Sequence, residues 1–147
     1  MLAVEALPGD WSRAVYPYGL LCGFLMSVSG YLMRDWDAPV PMIALVLYFP
    51  YYIGAGFLAA RHGGVNSAMA TGAVTALTGH VVVFTATVLY TLVNGSWPGA
   101  LVWLGMGVSL VLFTLVLGAV GGVAGGMIVK VIGRFRPEPP SGTAARS

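Results

Sequence analysis

One uncharged stretch restricts the possible folds of this chain more than any other feature. From residue 62 to residue 129 the sequence contains no Asp, Glu, Lys or Arg. Charged residues make up about 25% of an average soluble domain, but they make up 8% of this chain, of which 58% is hydrophobic. A soluble fold of 147 residues would leave much of that apolar surface in water. We therefore infer that the medium around the chain is a lipid bilayer.

Four apolar segments are long enough for a bilayer, which needs about 20 apolar residues per helix. Each run is also longer than a buried strand, which favours helix. The predicted helices span about 14–32, 40–60, 65–92 and 100–132. The sequence thus predicts an all-α, polytopic membrane bundle of four transmembrane helices, forming one domain over residues 1–135. The proline-rich segment 136–147 is predicted to be a disordered cytoplasmic tail.

Residues that end helices separate these four segments. Charges and Pro39 follow the first segment, "RHGG" at 61–64 follows the second, and "NGSWPG" at 94–99 follows the third. The fourth segment would be about 50 Å long at 1.5 Å per residue, against about 30 Å of hydrocarbon. Either it tilts strongly or its residues 100–107 lie partly in the membrane interface.

The basic residues near the helix ends predict the orientation of the chain. With four spans, both termini share one side of the membrane with the 61–64 turn. That side carries Arg13, Arg61, Lys130, Arg134, Arg136 and Arg146. The opposite side carries only Arg34, beside Asp35 and Asp37. This excess predicts cytoplasmic termini in a multi-pass protein of the cell membrane, and we expect a bacterial or archaeal inner or plasma membrane.

Glycine recurs at intervals of four residues in the last predicted helix. Gly118, Gly122 and Gly126 share one side of a helix, and Gly121 and Gly125 repeat the spacing beside them. In a membrane, small residues let helix backbones approach each other. Similar spacing in the other helices adds four candidates for helix packing: Gly19, Gly23, Gly56 and Gly72. We interpret this glycine zipper as a helix–helix contact, either within one chain or between subunits.

His80 is the main candidate for an intramembrane polar site, because it lies near the middle of the third predicted helix. Three roles compete: a neutral imidazole that hydrogen-bonds across a helix interface, a proton-linked residue in a transport path, or a ligand of haem or another metal. Pro50 should kink the second helix at a similar depth. The other residues of the candidate site are Tyr51, Tyr52, Thr87 and Thr114. A contact between His80 and one of the two tyrosines is one hypothesis, since a buried tyrosine hydroxyl needs a partner.

Basic residues at the cytoplasmic ends of the helices form a second candidate group. Its members are Arg61, Lys130, Arg134 and Arg136. They are candidates for contact with anionic lipid head groups. The alternative is that these charges only fix the topology, by keeping the loop and the tail in the cytoplasm.

The sequence contains none of the patterns that would predict catalysis. There is no carboxylate inside the predicted spans, and no HExxH, GxSxG, CxxC or phosphate-binding loop. We therefore expect no enzyme activity, no metal and no cofactor; haem is disfavoured because a second axial ligand to pair with His80 is missing. Neither the net charge of +2 nor any basic stripe indicates nucleic acid. Acidic residues at positions 5 and 10 argue against a cleaved signal peptide.

The segment "YYIGAGFLAARHGGVNSAMATGAVTALTG" (51–79), with the glycine-rich last helix, resembles a group of small prokaryotic four-helix membrane proteins of unknown function. In that group a Gly/Ala-rich helix, a basic Gly-Gly turn and another Gly/Ala-rich helix recur. The resemblance implies the fold and carries over no catalytic residue. Small multidrug exporters are similar in size, but the membrane glutamate of their first helix has no counterpart here.

The glycines and the polar residues indicate two different functions. The first hypothesis is a structural or interaction role, as a subunit, an assembly factor or a self-associating bundle. Its partners are the lipid bilayer and either a second copy or another membrane subunit. The alternative is a small transporter or channel component with a polar path near His80. Water in the bundle would favour transport, whereas dry packing around His80 would favour a structural role.

Overall fold

The described part of the chain is almost entirely helical. A computed structural model describes residues 10–32 and 40–134, with side chains over 13–32 and 47–134. These residues form three α-helices: α1 (Asp10–Leu32), α2 (Val40–Val93) and α3 (Trp97–Arg134). The predicted disordered tail, 136–147, lies outside the described residues.

The all-helical class predicted from the sequence is confirmed for the described residues, but the number of helices is not. The structure has three helices, because the segments predicted as separate helices at 40–60 and 65–92 belong to the 54 residues of α2. The predicted helices 14–32 and 100–132 lie within α1 and α3, which are slightly longer. Each helix contains a stretch that is long and apolar enough to cross a membrane: Arg13–Leu32, Leu47–Val93 and Trp97–Arg134.

α2 is interrupted at two consecutive glycines. The backbone angles leave the helical range at Gly63 (φ −146°, ψ 15°) and at Gly64 (φ 68°, ψ −159°). The positive φ of Gly64 is a conformation that favours glycine, because glycine has no Cβ. The kink expected at Pro50 is not the main break in this helix, since the angles outside the helical range within α2 are those of the two glycines.

The two halves of α2 fold back on each other. A methyl group on Gly56 would lie 2.6 Å from the Cα of Gly122, and one on Gly72 would lie 2.8 Å from that same atom. In a straight helix Gly56 and Gly72 would be about 24 Å apart, at 1.5 Å per residue. The chain therefore reverses between them, and we call residues 40–62 the first arm of α2 and residues 65–93 the second arm.

A tight turn at Gly95 joins the second arm to α3. Gly95 has a φ of 78°, the left-handed conformation common at a helix C-terminus. The Ser96 N–H donates to the Thr91 carbonyl at 3.1 Å, and the Gly95 N–H donates to the Leu92 carbonyl at 2.9 Å. These are the paired hydrogen bonds of a Schellman motif. The second arm and α3 thus form an antiparallel hairpin.

The second arm lies between α1 and α3. On the α1 side, Gly19 faces Val74 and Gly23 faces Thr78. The residue numbers rise together, so α1 runs parallel to the second arm. The first arm folds back on the second and therefore runs antiparallel to both. The second arm thus contacts α1 on one side and α3 on the other.

Small side chains fill the interior, and large apolar ones cover the outside. Residues with 0% exposure are Ala55, Ala59, Ala68, Thr71, Thr75 and Ala76. By contrast, Val108 and Leu112 are each 72% exposed, and Trp97 is 68% exposed. A soluble protein places its large apolar side chains inside. The reverse arrangement here is the one expected when the surrounding solvent is as apolar as the side chains.

Candidate functional site

The closest contact between helices is made by backbone atoms around Gly122. A methyl group on Gly122 would meet the carbonyl oxygen of Ala68 and would lie 3.2 Å from the Cα of Gly72. On the other side, the backbone of Gly56 approaches Gly122 just as closely. Cβ atoms in proteins essentially never come within 3.0 Å of such neighbours. A side chain at this point would therefore force the helices apart.

Two further glycines of α3 extend this contact along the second arm. A methyl group on Gly118 would lie 2.5 Å from the Cβ of Ala76, and one on Gly126 would lie 2.9 Å from the Cβ of Ala68. Gly118, Gly122 and Gly126 therefore form a row that faces the second arm. All three were predicted as packing residues from their spacing.

A second glycine row on α3 faces the first arm of α2. A methyl group on Gly121 would lie 2.5 Å from the Cβ of Tyr52, and one on Gly125 would lie 2.6 Å from the backbone nitrogen of Phe57. α3 thus meets both arms through adjacent rows of glycine. The sequence left open whether these glycines contact the same chain or another subunit. In the structure, both rows are occupied by arms of the same chain.

The predicted glycines of α1 lie at its contact with the second arm. A methyl group on Gly19 would lie 2.6 Å from Cγ1 of Val74, and one on Gly23 would lie 2.7 Å from the Cβ of Thr78. The hydroxyl of Ser27 donates to the Gly23 carbonyl at 2.8 Å. These glycines face β-branched side chains as well as backbone, because the methyl group on Gly23 would also lie 2.8 Å from the Thr75 carbonyl oxygen.

His80 lies between the second arm and α3, where both of its ring nitrogens face polar atoms. Nε2 is 2.9 Å from the carbonyl oxygen of Gly107. Because a carbonyl only accepts hydrogen bonds, Nε2 is the nitrogen that carries a proton. Nδ1 is 3.5 Å from the hydroxyl of Thr114, which also lies 2.9 Å from the carbonyls of Leu110 and Val111. The imidazole therefore links the two helices through its donor nitrogen, with a second polar group beside the other nitrogen.

Aromatic rings continue this contact towards the Gly95 turn. The rings of His80 and Phe84 are stacked, with centroids 5.2 Å apart and planes 13° apart. Phe84 meets Trp103 edge to face, with centroids 6.4 Å apart. Gly107 is buried, and a methyl group on it would collide with the Phe84 ring. We call His80, Phe84, Trp103, Gly107 and Thr114 the His80 cluster.

The other predicted members of the polar site lie away from His80. The hydroxyl of Ser29 donates to that of Tyr51 at 2.9 Å, so this tyrosine is bonded to α1. Tyr52 is buried against α3, with 2% of its surface exposed. Thr87 donates to the Val83 carbonyl of its own helix at 2.8 Å. The hypothesis of a contact between His80 and a tyrosine is therefore replaced by the contacts with Gly107 and Thr114.

The three basic candidates that the structure describes, Arg61, Lys130 and Arg134, lie at one end of the bundle. The guanidinium carbon of Arg61 is 4.6 Å from the centroid of the Phe57 ring, one helical turn earlier on its own arm. Lys130 and Arg134 are exposed on the last turns of α3. Arg136 lies outside the described residues. The structure thus places Arg61 on an aromatic face, which a lipid-contact role alone does not predict.

Sequence reasoning placed Thr114 in the same candidate site as His80 but missed Gly107 and Phe84, the other two neighbours of the ring. Phe84 follows His80 by four residues, and Gly107 follows Trp103 by four, so each pair lies on one helix face. Two such faces on consecutive antiparallel helices could have predicted this contact. It was not predicted because residues 100–107 were assigned to the membrane interface or to a strongly tilted helix.

Comparison of the chain with protein-family models, with curated proteins and with solved structures gave no match in any of the three. In the part of the chain that the structure describes, no group of three or more His, Cys, Asp or Glu side chains is placed to hold a metal ion. The chemistry that the described residues offer is that of glycine backbones, one interhelical histidine contact and a basic end.

Proposed function

We propose that this chain is a small multi-pass integral membrane protein with a structural or interaction role, as a subunit or a self-associating bundle. One observation carries the proposal: both arms of α2 contact the backbone of Gly122. Helices that touch through glycine backbones gain dispersion and weak backbone contacts that larger side chains would prevent. Such packing suits a compact body that presents its outer surface to lipid or to another subunit.

Four membrane crossings are part of this proposal. The two arms of α2 are about 35 Å and 43 Å long at 1.5 Å per residue, and about 30 Å is enough to span the hydrocarbon. The reversal at Gly63 and Gly64 would then put Arg61 on the same side as Arg13 and Arg134. The excess of basic residues favours the cytoplasm for that side and for both termini. The same proposal places the chain in a prokaryotic cell membrane and relates it to small Gly/Ala-rich four-helix membrane proteins.

The surroundings of His80 favour this role over transport. Its Nε2 is bonded to Gly107 and its ring is stacked on Phe84. A residue that relays protons or solutes needs a polar atom open to a water path. Here the donor nitrogen is used by the protein itself, which supports an imidazole that ties two helices together.

Cysteine accessibility tests the absence of a water path. Cys22 is the single cysteine of the chain, so Cys22→Ala gives a background for Thr114→Cys and for Ser96→Cys, a control in the exposed turn. In open membrane fragments, we expect a charged maleimide to label the Ser96 variant and to leave the Thr114 variant unlabelled. Labelling of both variants at similar rates would contradict the proposal and indicate a wet path beside His80.

Particle size tests the interaction role directly. Membranes containing the full chain would be extracted with a styrene–maleic acid polymer, which keeps the surrounding lipid, and the protein mass per particle would be measured. We expect more protein than one chain of 15.3 kDa, whether as copies of this chain or as a second subunit. Particles that hold a single chain and no other protein would contradict the proposal.

A further inference from the structure

The hairpin of the second arm and α3 extends past α1 on the side opposite the basic end. The hydroxyl of Ser27 lies 3.5 Å from the carbonyl oxygen of Gly79, and α1 ends five residues later, at Leu32. The parallel second arm continues fourteen residues beyond Gly79, to Val93. It is therefore longer than α1 by nine residues, or about 13 Å. We call residues 85–106 the hairpin tip.

The hairpin extends past the first arm as well. Tyr52 of the first arm contacts Gly121 of α3, and the first arm begins twelve residues earlier, at Val40. α3 begins at Trp97, twenty-four residues before Gly121, so it projects about 18 Å further. Among the described residues, the hairpin tip is therefore formed by two helices, whereas the rest of the bundle has four.

The length of α1 indicates how deep the bundle lies in a membrane. Its apolar span, Arg13–Leu32, has 20 residues, or about 30 Å, which equals the thickness of the hydrocarbon. Since the helices form one bundle, α1 can cross with both ends at the hydrocarbon surfaces only if the hairpin tip projects beyond them. The head-group layer adds roughly 5–8 Å on each side. The outer part of the tip therefore reaches water, and lipid does not cover it.

The hairpin tip is apolar in spite of this position. It contains no Asp, Glu, Lys or Arg, and eight of its Leu, Val, Met and Trp side chains are 41% to 85% exposed. A contiguous apolar surface in water marks a site of protein interaction. Each partner in a standard interface buries about 800 Å², and eight side chains at roughly 100 Å² each provide a surface of that order.

Four exposed side chains of α3 are spaced like the seam of a coiled coil. Intervals of four, three and four residues, the a/d pattern of paired helices, separate Trp97, Leu101, Leu104 and Val108. All four are 52% to 72% exposed. At 3.6 residues per turn, they lie on a different side of α3 from Gly125, which faces the first arm. We call these four residues the α3 ridge.

We infer that the α3 ridge packs against the α3 ridge of a second copy of this chain, around a two-fold axis perpendicular to the membrane. Copies with one membrane orientation hold their tips at the same height, so identical ridges meet in register. The tip has no charge, so the contact brings no like charges together. Removal of the tip from water drives the association, and the contact continues into the membrane at Val108.

This inference rests on the proposed interaction role and names its partner. The glycine rows of α3 are occupied by the two arms of the same chain, so they do not serve a second copy. The α3 ridge is a separate surface of the same helix, and its side chains are exposed in one chain.

One spin label per chain tests the contact, since dipolar coupling must then come from another copy. Val102, beside the ridge, is 61% exposed, and Leu21 of α1 is 54% exposed. Each would be replaced by cysteine in a Cys22→Ala background of the full chain, in polymer-extracted membranes. Double electron–electron resonance should give a distance below about 30 Å at Val102, because paired helices lie about 8–10 Å apart. We expect a longer distance at Leu21, since α1 does not contact α3 in the described residues.

Two alanine variants test whether the ridge itself makes the contact. Native mass spectrometry in a neutral detergent, at decreasing protein concentration, would give the dissociation constant of the dimer. Leu101→Ala should raise it at least about tenfold, because both copies lose the same methyl and methylene groups from the contact. Val102→Ala is the matched control in the tip but outside the ridge, and we expect a change below about threefold. Circular dichroism would confirm unchanged helix content.

Two results would overturn the inference. They are a Val102 distance no shorter than the Leu21 distance, and an equal effect of Leu101→Ala and Val102→Ala on dissociation. With either result, particles that hold several copies or a different second subunit would still support the proposed function. Particles that hold a single chain and no other protein would contradict the proposed function itself.

Discussion

The two ends of the contact between the second arm and α3 are held together in different ways. Near the Gly63–Gly64 reversal, the backbone of Gly122 lies directly against that of Gly72. Towards the Gly95 turn, the rings of Phe84 and Trp103 fill the space between the same two helices. One end is therefore a contact made mostly of backbone, and the other is a contact made mostly of side chains.

This difference shows how one hairpin can combine two kinds of packing that suit an apolar solvent. Leaving lipid gives an apolar side chain little free energy, so helices need close packing or directed polar contacts. The glycine end uses close packing, which tolerates no added volume. The His80 end uses a hydrogen bond and ring stacking, which can be weakened one group at a time. The variants below are expected to separate the two ends.

Gly122→Leu should have the largest effect on stability. A side chain at this position meets the backbones of both arms, and backbone cannot move aside as a flexible side chain can. We expect a loss above about 3 kcal/mol in the free energy of unfolding, at the upper end of overpacking effects. Unfolding by SDS in mixed micelles, followed by circular dichroism, would measure it.

Gly105→Leu is the matched control on the same helix. A Cβ at Gly105 has no neighbour within 4 Å, so the added side chain points into open space. We expect a change within about 0.5 kcal/mol, or a small gain because leucine favours helix more than glycine. If Gly105→Leu and Gly122→Leu destabilised the protein equally, the glycine end would not be a special contact.

His80→Leu should have an intermediate effect. The variant removes the hydrogen bond to the Gly107 carbonyl and the stack on Phe84. We expect a loss of about 1–2 kcal/mol, the sum of one net hydrogen bond and one aromatic pair. Thr87→Val serves as a control in the same arm, because among the described residues that hydroxyl donates to the carbonyl of Val83, one turn earlier. An equal loss for the two variants in the same unfolding assay would argue against a specific role for His80.

A double-mutant cycle sharpens the description of the His80 end. His80→Leu and Phe84→Leu would be measured singly and together. We expect a coupling of about 0.5–1.5 kcal/mol, because each variant removes the same ring stack. The changes in unfolding free energy for Thr87→Val and Phe84→Leu should be additive. If the changes were additive in both pairs, the ring stack would contribute nothing measurable to stability.

Ser67→Ala should not destabilise the protein, although Ser67 is only 2% exposed. Its hydroxyl has no hydrogen-bond partner among the described residues. Thr71 donates to the Ser67 carbonyl four residues earlier, but the equivalent acceptor for Ser67 would be Gly63, whose backbone has left the helical range. Removing an unpaired buried hydroxyl costs little, so we expect a change from zero to a gain of about 1 kcal/mol.

Ser27→Ala is the matched control for that variant. Ser27 is also buried, at 5% exposure, but its hydroxyl donates to the Gly23 carbonyl at 2.8 Å. We expect a loss of about 0.5–1 kcal/mol in the unfolding assay. A larger loss for Ser67→Ala than for Ser27→Ala would mean that Ser67 has a partner, such as water or lipid, in the membrane.

The sequence was sufficient for the helical class of the described residues, and glycine spacing predicted which residues share a helix face. Spacing of four residues depends only on helix geometry, so Gly118, Gly122 and Gly126 were predicted to lie on one face without knowing the partner. The reversal at 61–64 was also predicted, because consecutive glycines favour non-helical angles. What spacing alone left undecided was whether the partner is the same chain, since that depends on which helices are adjacent.

The side-chain contacts were harder to predict for a physical reason. A tyrosine and a histidine at equal depth can face different neighbours, because depth says nothing about rotation around the bundle. Tyr51 therefore bonds Ser29 of α1, whereas His80 bonds Gly107 of α3. Arg13 of α1 and His62 of the first arm also line one cleft, although they come from separate helices and no local pattern links them.

The most direct test of the reversal of α2 is a distance between its arms. Spin labels would be attached to cysteines that replace Leu47 and Val81 in a Cys22→Ala background. These two positions are exposed, and they lie on opposite arms at similar distances along the chain from Gly63–Gly64. Arms that pack on a common helix lie within about 20 Å of each other. Double electron–electron resonance should therefore give a distance below about 30 Å between the two spin labels. A distance near 50 Å, the value for a continuous helix at about 1.5 Å per residue, would contradict the fold-back and the two-sided contact at Gly122.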